Sequence, residues 1–171
     1  MIKVVLTGPE STGKSTIAQQ LAEKLDALLI PEYAREYIDD LDREYTVDDI
    51  TEIAIEQVDR DNKGVSQYPE LMISDTDLLT LKIWSEFKYG TCDPWIVKNL
   101  DLLLPELYLL MSPDIPWEAD PQRENPEDRD KLFEIYKNEL DQLQVPYVII
   151  KGTGDERLQN AIEAINKIYV P

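Results

Sequence analysis

Residues 8–15 of this chain read Gly-Pro-Glu-Ser-Thr-Gly-Lys-Ser, with the apolar run 2–7 (IKVVLT) directly before them and the amphipathic stretch 14–25 (KSTIAQQLAEKL) directly after. The pattern GxxxxGK[ST], set between a strand and a helix, is the signature of a phosphate-binding P-loop. Gly8 and Gly13 permit a backbone path that turns successive N–H groups towards an anion. The helix starting near Lys14 aims the positive end of its dipole at the same point. On this reading Gly8, Pro9, Glu10, Ser11, Thr12, Gly13, Lys14, Ser15 and Thr16 bind the nucleotide. Lys14 neutralises the β and γ phosphates, and Thr16 caps or supports the helix start. Ser15 offers its hydroxyl to Mg2+, a hard cation that takes oxygen ligands and bridges phosphates. The expected cofactors are therefore ATP and Mg2+.

The rest of the chain alternates strand and helix patterns. Strands are expected at 27–30, 70–74, 107–111 and 146–150. Helices are expected at 46–63, opened by Thr46, at 78–89, stopped by Gly90, and at 127–143 and 155–168. Such alternation predicts an α/β fold of the P-loop NTPase type, with a parallel five-stranded sheet, helices on both faces, and ligands beyond the carboxyl ends of the strands. Residues 112–126 (SPDIPWEADPQRENP) carry four prolines and neither period, and we read them as a short lid rather than a linker. Length and the lack of any internal repeat fit one domain over 1–171.

Charge narrows the partners. With 17 Lys+Arg against 35 Asp+Glu, the net charge of −18 gives a field that repels nucleic-acid phosphates over most of the surface. Any anion must be captured locally, and neither nucleic acid nor membrane is expected as a partner. The start MIKVVLTG lacks the apolar run and cleavage site of a secretory signal, so a cytoplasmic location is expected. One cysteine, Cys92, and no histidine leave no internal disulfide, no His/Cys zinc site and no imidazole chemistry.

Further candidates fall at strand ends. Asp75 and Asp77 follow the third strand, where a carboxylate in a P-loop protein holds Mg2+ directly or through water; a helix cap is the alternative role. Glu32, after the second strand, is the candidate base that takes or orients the proton of an acceptor hydroxyl. Tyr33, Arg35 and Asp77 are candidates for holding that acceptor. Arg123 and Arg129, in and beside the lid, are candidates for stabilising the transferring phosphoryl group. Trp117 is a candidate stacking surface for a flat ring, whereas Trp84 and Trp95 are read as core.

Taken together, GPESTGKST, PEYAREY, SDTD with the downstream YGTCDPW, and PWEADPQR resemble, in order and spacing, the nicotinamide riboside kinase domain of the bacterial multifunctional NAD-biosynthesis proteins. The resemblance covers nearly the whole chain. It implies ATP-dependent phosphorylation of the ribose 5′-hydroxyl of nicotinamide riboside, a lid after the fourth strand and a nucleoside pocket near the second and third strands. It also implies that the adenylyltransferase activity of those proteins is absent here, since the P-loop begins at residue 8. Related free-standing chains are described as AAA-like ATPases. Two other readings thus stay open: a kinase for another small metabolite, and a nucleotide-dependent switch or partner-binding ATPase. A lid with arginines and an aromatic ring favours an enclosed acceptor site over a switch.

Overall fold

The computed structural model describes residues 1–169; the last two residues of the expected 1–171 unit lie outside the described residues. The chain runs β1 (Ile2–Thr7), α1 (Lys14–Leu25), β2 (Leu28–Ile30), α2 (Tyr33–Asp39), α3 (Val47–Val65), β3 (Leu71–Asp75), α4 (Leu78–Tyr89), α5 (Pro94–Leu102), β4 (Leu107–Met111), α6 (Arg129–Leu143), β5 (Tyr147–Ile150) and α7 (Gly154–Asn166). All five strands pair in parallel in the order β2-β3-β1-β4-β5. β1 is the central strand, with Val4 aligned to Leu107 on one side and Val4 aligned to Ile73 on the other.

Strand alternation sorts the core into two layers. Val4, Leu6, Ile73, Leu109 and Met111 point to the face covered by α1 and α7. Val5, Tyr108 and Leu110 point to the face covered by α3, α4, α5 and α6. Both faces are buried, which is why the strands are continuously apolar rather than alternating apolar and polar. Truncating a fully buried residue such as Leu109 to Ala would remove about 2–5 kcal/mol.

Two helices lie where no helix was expected. α2 is short and buries only Ala34, so it leaves little apolar periodicity. α5 carries a sequence signal that was overlooked: Asp93 accepts a hydrogen bond from the Trp95 N–H, and Pro94 occupies the first turn, where its missing N–H is harmless. α3 starts as expected, with Thr46 and Asp49 in a reciprocal capping box. Asp49 also binds Arg43 and the Tyr37 hydroxyl, and the Arg43 hydrogen bonds hold its carboxyl well below the usual carboxylate range. Residues 112–128 contain neither helix nor strand.

Asp49 is therefore one anchor for α2, α3 and the turn between them. Asp49→Ala is expected to lower the unfolding free energy by about 2 kcal/mol, the upper range for a lost cap, as measured by urea denaturation at pH 7. Because its folded pKa is depressed, the contribution is present above the ordinary aspartate pKa and fades as pH falls towards the folded value. The parent and variant curves should thus converge in acid.

Candidate functional site

The P-loop emerges from the central strand. At Gly8 φ is +131°, and a Cβ there would sit 2.8 Å from the Met111 carbonyl oxygen, so any side chain would push β1 away from β4. Gly13 is left-handed at φ 78° and begins α1 without a side-chain cap. The expected capping role of Thr16 is thus corrected: Thr16 is exposed at the cavity wall. Thr12 braces the loop from within, its hydroxyl donating to the Pro9 carbonyl at 2.8 Å.

A buried arginine that sequence reading missed holds the loop from behind. Arg157, on α7, is 2% exposed. Its guanidinium donates to the Thr12 carbonyl at 3.0 Å, the Ser112 carbonyl at 2.5 Å, the Gly152 carbonyl at 2.8 Å and Asp114 at 2.6 Å. A signal existed: Arg157 stands in register with the buried Ala161, Ala164 and Ile165 of the same helix, an inward position where a charge needs partners.

A cavity of about 360 Å³ opens over the P-loop, and all nine residues from Gly8 to Thr16 line it. This volume falls in the range of small-molecule sites. At the phosphate end, Lys14 donates to the carbonyls of Gly8 at 2.9 Å and Pro9 at 2.7 Å. Burial lowers the Lys14 pKa, and Glu32, Asp75 and Glu10 oppose that effect. Glu32 and Arg35 line the same cavity. Burial, reinforced by Asp75, raises the Glu32 carboxyl to about 7, close to the value an efficient proton acceptor needs.

Asp75 and Asp77 have opposite fates, because Thr76 between them adopts a left-handed φ of 66° and breaks the strand geometry. Asp75 is buried beside the P-loop, and its Oδ1 has no hydrogen-bond partner. Burial raises its pKa, while Ser15 and Lys14 pull it back. Asp77 instead caps α4, accepting from the Leu79 N–H at 3.0 Å and from the Tyr108 hydroxyl at 2.5 Å. Both its oxygens are engaged and it does not line the cavity, so its expected metal and acceptor roles give way to the capping role.

An orphaned Asp75 oxygen beside the Ser15 hydroxyl that bonds the same carboxylate fits a magnesium ion. Ser15 and Asp75 offer the oxygen ligands that magnesium takes, and a nucleotide's phosphates would complete its shell.

The opposite end of the cavity is lined by Tyr45, Ile83, Trp84, Phe87, Leu132 and Tyr136. Tyr45 and Trp84 meet edge to face, with centroids 4.9 Å apart, and the Trp84 indole N–H donates to the Tyr45 hydroxyl. Trp84 was read as core, because it lies on an apolar helix, α4. Conversely, Trp117 and Tyr33 do not line the cavity. Trp117 packs near the Arg129 guanidinium at 5.8 Å, and Tyr33 lies under Arg60 at 4.2 Å. Their expected stacking and acceptor roles are replaced by the α4 aromatics and Tyr45, which sequence patterning could not tell from core.

The 112–126 segment folds back over the P-loop. Arg123 lines the cavity and donates to the Ser11 hydroxyl at 3.4 Å and to the Glu118 carbonyl. Arg129 donates to the Ser11 and Ile115 carbonyls at 3.0 and 2.9 Å and does not line the cavity, so the geometry keeps it as a clamp on backbone and leaves Arg123 at the phosphate end. Arg35 pairs with Asp120 at 3.0 Å, and Lys88 pairs with Glu124 at 2.9 Å.

Comparison with known proteins agrees with this geometry. The chain is 24% identical over 174 aligned residues to the trifunctional NAD biosynthesis/regulator protein NadR of Salmonella typhimurium, covering 96% of this chain and 42% of that protein. A crystal structure of a NadR protein in complex with NR superposes with a TM-score of 0.82 at 24% identity, covering 97% of this chain and 50% of that one. A thymidylate kinase from Ehrlichia chaffeensis superposes with a TM-score of 0.69 at 14% identity, covering 98% of each chain. The chain thus spans half or less of the length of the NadR proteins it matches, and these likenesses bear out the resemblance read from the sequence and the P-loop kinase fold. The AAA domain family matches residues 3–157, more than half of the chain, and the protein belongs to that family.

Proposed function

We propose that this protein is an ATP- and Mg2+-dependent kinase that transfers the γ-phosphoryl group to a nucleoside hydroxyl, with nicotinamide riboside as the acceptor. The observation that supports the reading is one cavity lined by the whole P-loop, by Glu32 and by the aromatic side chains Tyr45, Trp84, Phe87 and Tyr136. A phosphate chain, a proton-accepting carboxylate and a flat ring would share that cavity. NadR proteins, one of them solved with NR, and a thymidylate kinase share the fold and support the choice of acceptor class. The acidic chain, at −18, also favours a cationic pyridinium ring over an anionic acceptor.

In this mechanism the P-loop amides and Lys14 hold the β and γ phosphates. Ser15 and Asp75 would hold the magnesium ion, which neutralises phosphate charge. Glu32 accepts the proton of the acceptor hydroxyl as its oxygen bonds to the γ-phosphorus and the bridging bond to ADP breaks. Arg123 stabilises the charge on the transferring group. Tyr45 and Trp84 hold the ring and so fix the hydroxyl in line.

The direct test is incubation with ATP, Mg2+ and a panel of nucleosides, with products read by mass spectrometry. Phosphorylated nicotinamide riboside is expected. A different phosphorylated product would move the acceptor, and ATP hydrolysis with no phosphorylated acceptor would favour a switch ATPase. Lys14→Ala should abolish most transfer while leaving the thermal melting point near that of the parent.

Glu32→Gln should lower kcat on the acceptor by roughly 10² or more with little change in ATP affinity. The acid limb of the parent kcat/KM should fall near pH 7, since the base works deprotonated. Stability should respond in the opposite sense. A carboxyl whose folded pKa is raised stabilises the fold in acid relative to base, and that contribution is lost as pH rises from the unfolded value through about 7. Glu32→Gln should therefore melt higher than the parent at pH 8, and the gain should shrink towards pH 5.

A further inference from the structure

Glu10 is an acid inside a loop whose purpose is to hold phosphate. P-loop binding uses backbone N–H groups, so a carboxylate there works against the anion, and another role has to account for it. Its contacts supply one. The Glu10 carboxylate accepts hydrogen bonds from the Asn125 N–H at 2.9 Å and the Glu124 N–H at 3.1 Å, with the Asn125 side-chain amide at 3.5 Å. Its neighbour Ser11, held at a left-handed φ of 55°, accepts from the Glu118 N–H at 2.8 Å through its hydroxyl. Both side chains are spent on the 112–126 segment.

That segment has no helix or strand to stiffen it. Arg157 with Asp114, and Arg129 with the Ile115 carbonyl, fix its first residues. The limb from 120 to 125 is otherwise held by exposed bonds, Arg35–Asp120, Gln122 to Asp39 and to the Arg35 carbonyl, and Glu124 to Lys88 and Tyr45, and by the long 3.4 Å bond from Arg123 to the Ser11 hydroxyl. Exposed ion pairs between long side chains contribute little, whereas the Glu10 carboxylate takes two backbone amides, one exposed and one half-buried, in charge-assisted bonds of about twice ordinary strength.

We propose that Glu10 is a positioning residue, the latch that ties the P-loop to the far limb of the lid and keeps water from the phosphate end, so that the γ-phosphoryl group goes to the acceptor hydroxyl instead of to water. In the suppressed reaction a water oxygen bonds to the γ-phosphorus, the bridging bond to ADP breaks and inorganic phosphate leaves. This inference rests on the kinase reading for its second half only, since the latch itself is a property of the fold.

The test uses the intact protein and two variants. Glu10→Ala removes both acceptors, and Glu10→Gln keeps one accepting oxygen. Hydrogen exchange at the Glu124 and Asn125 amides is expected to speed up by about tenfold in Glu10→Ala, as for the loss of one charge-assisted bond, and by less in Glu10→Gln. Protection in β1 and β4 should hold in both, which shows that each is folded. With ATP, Mg2+ and nicotinamide riboside, ADP formed per acceptor phosphorylated should rise in the same order. Unchanged exchange in Glu10→Ala overturns the latch. Faster exchange with an unchanged product ratio overturns its role in excluding water. If the parent phosphorylates no nucleoside, the proposed function falls, while exchange still decides the latch.

Discussion

The shape of the P-loop rests on a charge that never meets solvent. Arg157 binds the Thr12 carbonyl of the P-loop, the Ser112 carbonyl after β4, the Gly152 carbonyl after β5, and Asp114 at the root of the lid. A guanidinium taken out of water costs several kcal/mol, and that cost is offset by the four oxygens its two terminal nitrogens reach, while Nε is left without a partner. Those acceptors come from three separate stretches of chain, the P-loop, residues 112–114 and the turn after β5, and converge only when the sheet is complete. The loop is therefore held in its curved form from its far side, leaving its cavity face free for phosphate. Partial burial works against the charged form of Asp114, but the Gly152 N–H and Arg157 hold its pKa below the usual value, so Asp114 stays ionised.

The same site is crowded with carboxylates. Glu10, Glu32 and Asp75 all act on Lys14, and Asp75 adds to the effect of burial in raising the proton affinity of Glu32. In a chain this acidic, phosphate capture by the proposed kinase would be a local property of backbone amides, Lys14 and Arg123 against the general field.

The fold was legible because its signals are periodic. Apolar strand runs and the P-loop pattern gave every strand and the order of chemistry along the chain, and Thr46 marked the start of α3 through its capping box. What failed to show were elements with little periodicity, such as α2 with its single buried residue. In the site, residues defined by backbone geometry were readable, because Gly8, Gly13 and Lys14 serve one purpose in this pattern. Aromatic residues were not. Trp84 and Trp117 are the same residue type on an apolar helix and in a polar loop, yet the helical one faces the cavity, and only the packing of α4 against the sheet decides that. Asp75 and Asp77 likewise share a motif and part company at the left-handed Thr76.

The central place of β1 carries a consequence for how the protein is made. The strand that delivers the P-loop is the first to leave the ribosome, but its partners are β3 and β4, with Ile2 aligned to Leu71 and Val4 to Leu107. Such distant pairings carry a large loop-closure entropy and form late. Until β4 has been synthesised, β1 has a bare edge and an apolar face on each side, the kind of segment that recruits chaperones or pairs wrongly. The phosphate-binding loop thus comes first in sequence and is among the last parts of the molecule to take shape.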